Sequence, residues 1–302
     1  MSRPAFLACD WGTTNLRAWV VAEDGKVVRS RDFPLGVAKL EPGEAARRFR
    51  DEVRPGLVAE DLQAILCGMI GSTLGWAVAD YLPCPAGVAE LRGNLLQVEG
   101  GKHPVHIVPG LRCAGPAGAS DVMRGEETQA MGWIARAEER QRGRWIICHP
   151  GTHAKWIEVV DGRVTRFVTA MTGELFAVLS RHSVLKTDAP PDDPAAFDEG
   201  VAAAADGSAL ASRLFSARAR VVADGRPEAS AAAYLSGLLI GAEVASAPRL
   251  LGLSGDTRIA LLGEPGLCRW YARALADRPH TVHNGDKAAL AGLAALHRET
   301  VS

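Results

Sequence analysis

One pattern occurs twice in this chain and restricts its fold more than any other feature. Cys9-Asp10-Trp11-Gly12-Thr13-Thr14-Asn15-Leu16-Arg17-Ala18-Trp19 is echoed by Cys148-His149-Pro150-Gly151-Thr152-His153-Ala154-Lys155-Trp156. An apolar run precedes each copy, Ala5 to Ala8 and Trp145 to Ile147, and a second apolar run follows. That second run closes on Asp24-Gly25 in the first copy and Asp161-Gly162 in the other. Each copy therefore reads as strand, Gly-Thr turn, strand, Asp-Gly turn, strand, because apolar runs bounded by such residues form hairpins. An ordered repeat of this length implies duplication.

Helical and strand patterns alternate after each copy. "PGEAARRFRDEV" spaces Ala45, Phe49 and Val53 as a helix does, with Pro42 near its start. "LQAILCGMIG" reads as a buried strand entering a glycine-rich turn, and "HPVHIVPGL" as a strand stopped by Pro109-Gly110. "VMRGEETQAMGWIARAEE" reads as a helix with acidic first turns, which the helix dipole favours. In the second half, "TGELFAVLSRH" starts a helix, alanine-rich helices run to about Ala247, and "RIALLGEPGLCRWYARALA" is strand, turn and helix. A last helix, "GDKAALAGLAALHRE", has Asp286 placed to cap it. The expected fold class is α/β, with two similar domains and a central cleft. The Gly/Pro/Ala-rich "LRCAGPAGASDV" is read as the crossing, which divides the chain into 1–115 and 116–302.

At 302 residues the chain has room for two cores. Its 34 basic and 35 acidic residues are spread evenly, giving a net charge of −1, which speaks against a nucleic-acid partner or a polybasic membrane patch. "AAAYLSGLLIGAEVASA" is read as too short and too polar to span a bilayer, and Asp10 falls too early for a signal-peptide core. The six cysteines show no Cys-x-x-Cys pair or metal spacing, so they read as reduced residues of a cytoplasmic protein. A homo-oligomer is left open.

The repeated turn is where chemistry belongs. A Gly-Thr bend after a strand turns successive backbone N–H groups into one concavity suited to anionic oxygens. Gly12 and Gly151 admit close approach, Thr13, Thr14 and Thr152 add hydroxyls, and Arg17 and Lys155 carry charge nearby. Asp10, ending the first strand, is placed to hold Mg²⁺ directly or through water. The chain has neither a G-x-x-x-x-G-K-[ST] loop nor G-x-G spacing, so the P-loop and Rossmann routes to nucleotides are excluded.

With these residues in place, the two turns resemble the phosphate-1 and phosphate-2 elements of the actin/hexokinase/Hsp70 ATPase superfamily, whose domains are actin-like (ribonuclease H-like). More narrowly, "CDWGTTNLRAW", "GMIGSTLGW", "DVMRGEETQAMG", "PGTHAKWIEV" and "TGELFAVLSRHSVL", in that order, resemble the 2-dehydro-3-deoxygalactonokinases. The resemblance is dense over about residues 6–185 and thin but collinear beyond. It implies ATP- and Mg²⁺-dependent phosphorylation of the terminal (6-) hydroxyl of 2-dehydro-3-deoxy-D-galactonate. The first domain would carry the substrate wall and phosphate-1 turn, the second the phosphate-2 turn and adenosine site. In Gly125-Glu126-Glu127-Thr128-Gln129 it implies Glu126 as the base, with Glu127 and Asp121 in reserve. It implies phosphate contacts from Gly12, Thr13, Thr14, Asn15, Arg17, Gly151, Thr152 and His153, with Lys155 at the transferring group. His153 equally suits a buried, hydrogen-bonded role. Gly263 and Glu264 fall at the adenosine element, and Gly68, Met69, Gly71, Ser72 and Trp76 at the substrate wall. A sugar acid needs a cation; Arg112 is the leading candidate beside Arg17, Arg92 and Arg124. Two other readings stand beside this one. One is a kinase of another sugar or sugar acid such as 2-keto-3-deoxygluconate; the other is a nucleotide-gated, non-catalytic binding protein.

Overall fold

The computed structural model describes residues 3–58, 62–205, 210–255 and 257–297. Residues 206–209, within the alanine-rich stretch, and 298–299, read as the close of the last helix, lie outside the described residues.

The first copy folds as the pattern predicts, into β1 (Pro4–Trp11), β2 (Leu16–Ala22) and β3 (Val27–Phe33). The antiparallel register sets Asp10 opposite Arg17 and Trp11 opposite Leu16, which leaves residues 12–15 as the turn. β3 lies at the sheet edge, and its exposed Arg29, Arg31 and Asp32 suit a strand open to water on one side. The expected first helix is shorter than its pattern: α1 (Glu44–Arg48) widens into a π-helical turn over Phe49–Val53. β4 (Gln63–Cys67) then joins β1 in parallel, with Cys67 beside Asp10.

Next come β5 (Tyr81–Pro83), α2 (Val88–Gly93), β6 (Leu96–Val98), β7 (Val105–Ile107), β8 (Gly110–Ala114), β9 (Ser120–Met123) and α3 (Glu126–Ala135). The main sheet runs β3-β2-β1-β4-β7-β6, with β5-β8-β9 as a separate small sheet. Leu7, Cys9, Trp11, Leu16, Phe49, Leu66 and Ile107 form one buried cluster in this region. The stretch read as a crossing between domains is instead a hairpin. Leu111 pairs with Met123 and Ala114 with Ser120, so Gly115 to Gly118 serve as turn residues, not as a linker.

The second copy gives β10 (Arg144–His149), β11 (Ala154–Val160) and β12 (Arg163–Ala170). Asp161 and Gly162 both take positive φ, 48° and 75°, at the β11–β12 bend, as a tight hairpin turn requires. Then follow α4 (Thr172–His182), α5 (Pro194–Ala204), α6 (Leu210–Val222), α7 (Glu228–Leu250), β13 (Ile259–Gly263), α8 (Pro265–Ala274), β14 (His280–Asn284) and α9 (Gly285–His297). This sheet runs β12-β11-β10-β13-β14. β10 and β13 are parallel, Ile146 beside Ile259, as β1 and β4 are. The order β3-β2-β1-β4 therefore recurs as β12-β11-β10-β13, and the duplication read from sequence is present in the sheets.

Two expectations need correction. α7 has 23 residues, so it is long and apolar enough to cross a membrane by length and composition, contrary to the sequence reading. It is packed against α5 and carries the buried Glu243, the habit of a core helix. The boundary at 115 also differs from the compact units. One unit runs through Arg144, takes in 159–166 and resumes at Asn284; the other holds 145–158 and 167–283. The physical reason is helix packing. α9 lies so close on α3 that a Cβ at Gly292 would stand 2.0 Å from Thr128 O, which ties α3 and the C-terminal helix into one body.

Candidate active site

The first Gly-Thr turn is held from behind. The carbonyls of Gly12, Thr13 and Thr14 accept the backbone N–H groups of Val37, Ala38 and Gly36 at 3.0, 3.1 and 3.1 Å. Trp11, fully buried, donates its indole N–H to Leu35 O. With the carbonyls engaged, the N–H groups of Thr13 and Thr14 have no protein acceptor among the described residues. Thr13, Thr14 and Asn15 are exposed. A turn whose acceptors are used up and which leaves the Thr13 and Thr14 N–H groups unpaired suits anionic oxygens.

Asp10, Gly12, Thr14, Asn15 and Arg17 line a pocket of about 190 Å³ at this turn. Asp10 is partly open to that pocket, yet the protein packed around it lifts its carboxyl to about 6. Arg17 opposes the lift, while Asp286 and Glu126 add to it and Cys67 donates a compensating bond. Arg17 is itself paired with Asp286, at the start of α9. The cap expected of Asp286 is supplied by Asn284, whose side chain accepts Lys287 N–H at 2.9 Å.

Glu126 reaches this place through two glycines. Gly68, after β4, has φ 88°, and a Cβ there would stand 2.8 Å from Trp11 O and 3.2 Å from Asp10 Oδ1. Gly125, before α3, has φ 106°, and a Cβ there would stand 3.4 Å from Gly68 Cα. The ends of β1 and β4 and the start of α3 thus meet closely, with side chains removed where backbones touch. Glu126 is half-buried and accepts Arg124 N–H at 3.1 Å. Glu127 is fully buried, accepts Gly125 N–H at 2.6 Å and Thr128 Oγ1 at 2.9 Å, and is pushed up to about 7, chiefly by burial. Asp121 lies back on β9 and accepts the neighbouring Val122 N–H.

Among the described residues no three acidic, histidine or cysteine side chains gather as metal ligands. Asp10 is a hard oxygen donor with acidic neighbours, and the cation nearest in effect, Arg17, is committed to Asp286. That donor set fits Mg²⁺ held by one carboxylate together with phosphate oxygens, and does not fit an all-protein cage.

The second turn has different company. Thr152 and His153 are exposed, His153 Nε2 bonds the Glu174 carboxylate, and Glu174 N–H bonds Thr152 O at 3.0 Å. The buried role weighed for His153 is therefore not the observed one. Lys155 is buried along β11. Beside Gly151 opens a mainly apolar pocket of about 340 Å³, walled by Thr172, Gly173 and Phe176 on the α4 side and by Leu239 and Ile240 of α7. Gly266, Leu267, Arg269, Trp270 and Tyr271 of α8 complete it. Gly263 ends β13, and Glu264 caps α8 by accepting Gly266 and Leu267 N–H, both at 2.7 Å. The helix that Glu264 starts is thus one wall of this pocket.

The substrate-wall residues separate. Gly68 lies at Asp10, whereas Met69 and Trp76 pack on the core, Trp76 against Phe49 with centroids 5.5 Å apart. Ser72 closes its own turn on Met69 O at 2.7 Å. Gly71 is buried against Arg124, which donates to Ala79 O at 2.6 Å and stacks over Tyr81. Arg112 is exposed on β8, and Arg92 is spent on Ala295 O and Leu296 O. Asp286 was read from sequence only as a helix cap, not as a neighbour of Asp10 and Arg17, and Glu243 and the α8 wall were not read there. Only "GEPGLCRWYARA", with its capped start and aromatic pair, carried a signal for the last.

The family model for 2-keto-3-deoxy-galactonokinase matches residues 10–296. A Rhizobium meliloti (strain 1021) protein described as a probable 2-dehydro-3-deoxygalactonokinase is 37% identical over 97% of this chain and 96% of its own length. The Escherichia coli (strain K12) 2-dehydro-3-deoxygalactonokinase is 37% identical over 80% of each chain. A Sinorhizobium meliloti crystal structure solved under the same enzyme name superposes with TM-score 0.85 and 35% identity, over 98% of this chain and 99% of that one. A carbohydrate kinase of Novosphingobium aromaticivorans, at TM-score 0.51 and 12% identity over 98% and 92%, shares the fold alone. The sheets are those of the actin/hexokinase/Hsp70 superfamily, and the chain belongs to the 2-keto-3-deoxy-galactonokinase family.

Proposed function

We propose that this chain transfers the γ-phosphoryl group of ATP to the 6-hydroxyl of 2-dehydro-3-deoxy-D-galactonate, in galactonate catabolism in the cytoplasm. The observation that carries the chemistry is the Gly12–Asn15 turn, whose Thr13 and Thr14 N–H groups have no protein acceptor among the described residues and whose strand ends in an acid that feels Glu126. Free donors suit phosphate oxygens, and a half-buried carboxylate at a helix start suits proton removal.

In the proposed reaction Glu126 takes the proton of the 6-hydroxyl as its oxygen bonds the γ-phosphorus. The bond from that phosphorus to the β-bridging oxygen breaks, and ADP leaves. Thr13, Thr14 and Asn15 of the first turn, and Thr152 and His153 of the second, offer donors to phosphate oxygens. The pocket bounded by Gly151 and α8 takes the nucleoside, Trp270 offering an aromatic face. Asp10 would hold Mg²⁺, which supplies charge neutralisation on the phosphates when bound.

A coupled ADP-release assay over a panel of sugar acids and neutral sugars tests this. Turnover highest on 2-dehydro-3-deoxy-galactonate is expected. Preference for the gluco isomer would move the assignment to another sugar-acid kinase. ATP binding without turnover on any member would make the chain a binding protein.

A further inference from the structure

α7 carries one carboxylate into the interior of the second unit, where hydrocarbon would pack at lower cost. Glu243 is 4% exposed. It has three donors from three elements: Trp156 Nε1 of β11 at 2.7 Å, Tyr271 OH of α8 at 2.7 Å, and Thr172 Oγ1 of α4. No Lys or Arg is among these partners; the neutral donors carry the whole load.

Two of the three belong to the nucleotide pocket. Tyr271 lies in its α8 wall, and Thr172 opens α4 on the side of Gly151. The start of α4 is in turn fastened to the second Gly-Thr turn. Glu174 N–H bonds Thr152 O at 3.0 Å, and a Cβ at Gly173 would stand only 2.5 Å from Gly151 O. One Glu243 oxygen, Oε2, therefore receives both the phosphate-turn end of the pocket and its α8 end.

We infer that Glu243 is a positioning residue for the nucleotide: by holding Thr172 and Tyr271 on a single carboxylate oxygen, it fixes the distance between the second Gly-Thr turn and the α8 wall. Glu243 is not itself among the residues that line the pocket; it acts through the two hydroxyls. This inference rests on the nucleotide reading of the pocket. A packing role alone predicts a loss of stability only. A positioning role predicts weaker nucleotide binding by protein that is still folded.

Glu243→Gln keeps the shape but brings an N–H donor to a cluster of donors, while Tyr271→Phe and Thr172→Val each remove one bond. Binding of ADP and of a non-hydrolysable ATP analogue would be measured by calorimetry on folded protein, together with KM for each substrate. For Glu243→Gln, nucleotide Kd and KM for ATP should rise about tenfold, as loss of a buried charge-assisted bond implies, with KM for the sugar acid within about twofold. Tyr271→Phe and Thr172→Val should each give part of the effect and add little to Glu243→Gln, since all three break the same tie. If Glu243→Gln lowers only the melting temperature, with nucleotide Kd unchanged, the inference is overturned. Should Glu243→Gln fail to fold, the two hydroxyl variants decide by the same readout. If wild-type protein binds no nucleotide, or if Trp270→Ala and Gly173→Ala leave its Kd untouched, the pocket reading itself fails.

Discussion

The two units began as copies and have parted at one strand end. In the first, β1 closes on Asp10, and the turn beyond it gathers acids: Glu126 from α3 and Asp286 from α9 both raise the Asp10 pKa. In the second, β10 closes on His149, the acid beside the turn, Glu174, is engaged by His153, and the turn borders an apolar pocket instead. The turn itself is common to both, and backbone N–H groups of that kind suit anionic oxygens. What changed is what stands behind it. An acidic pocket suits metal and proton chemistry and an apolar slot suits a nucleoside, so under the proposed function the two hairpins would serve two different tasks.

Breaking the first unit's share should have the largest effect. Asp10→Asn and Glu126→Gln should each lower kcat by about 10²–10⁴-fold with secondary structure unchanged by circular dichroism. A Glu126→Gln enzyme with near-normal turnover would return the base assignment to Glu127. Next in size is the second turn. Gly173→Ala forces Gly151 to move and should raise KM for ATP by roughly 10–100-fold, at about 1–3 kcal/mol of stability measured by urea melts.

Glu127 sharpens the comparison through pH, since it is fully buried, whereas the acid in the first turn of α4, Glu174, is partly exposed and paired with His153. The folded pKa of Glu127, about 7, lies above the usual carboxylate value of 4.5, so the native state holds the proton longer than the unfolded chain. Its contribution is therefore full below about pH 4.5 and lost as pH rises through 7, a change on the order of 3 kcal/mol. Denaturant melts of wild type against Glu127→Gln across that window should show the wild type losing ground steadily; parallel curves would refute it. The smallest effect belongs to Asp286→Asn. Its pair with Arg17 is close to half exposed, so stability should change by less than about 1 kcal/mol in the same melts.

The repeat was legible because every part of it is local: strand, turn and strand lie within some thirty residues, and β-sheet alternation writes itself on the sequence. Asp10, Gly12 and Gly151 could be placed at their strand ends and turns for that reason. What stayed hidden depends on residues far apart in the chain. Nothing in Gly36-Val37-Ala38 announces that its N–H groups pin the turn carbonyls. Glu243 sits in an alanine-rich helix and looks like a solubilising residue until Trp156, Thr172 and Tyr271 are seen around it. Gly115 to Gly118 misled because the same residues make linkers and tight hairpins, and only the pairing of Leu111 with Met123 decides between them.

The last helix, α9, completes a body whose first strand was laid down some 280 residues earlier. A ribosome delivering this chain releases everything needed for the second unit before it delivers α9. Until then α3 presents an uncovered face, and Arg17 has no Asp286 to meet. The unit that holds the first Gly-Thr turn is thus completed only by α9, and a chain cut short before residue 285 would be left with an open seam.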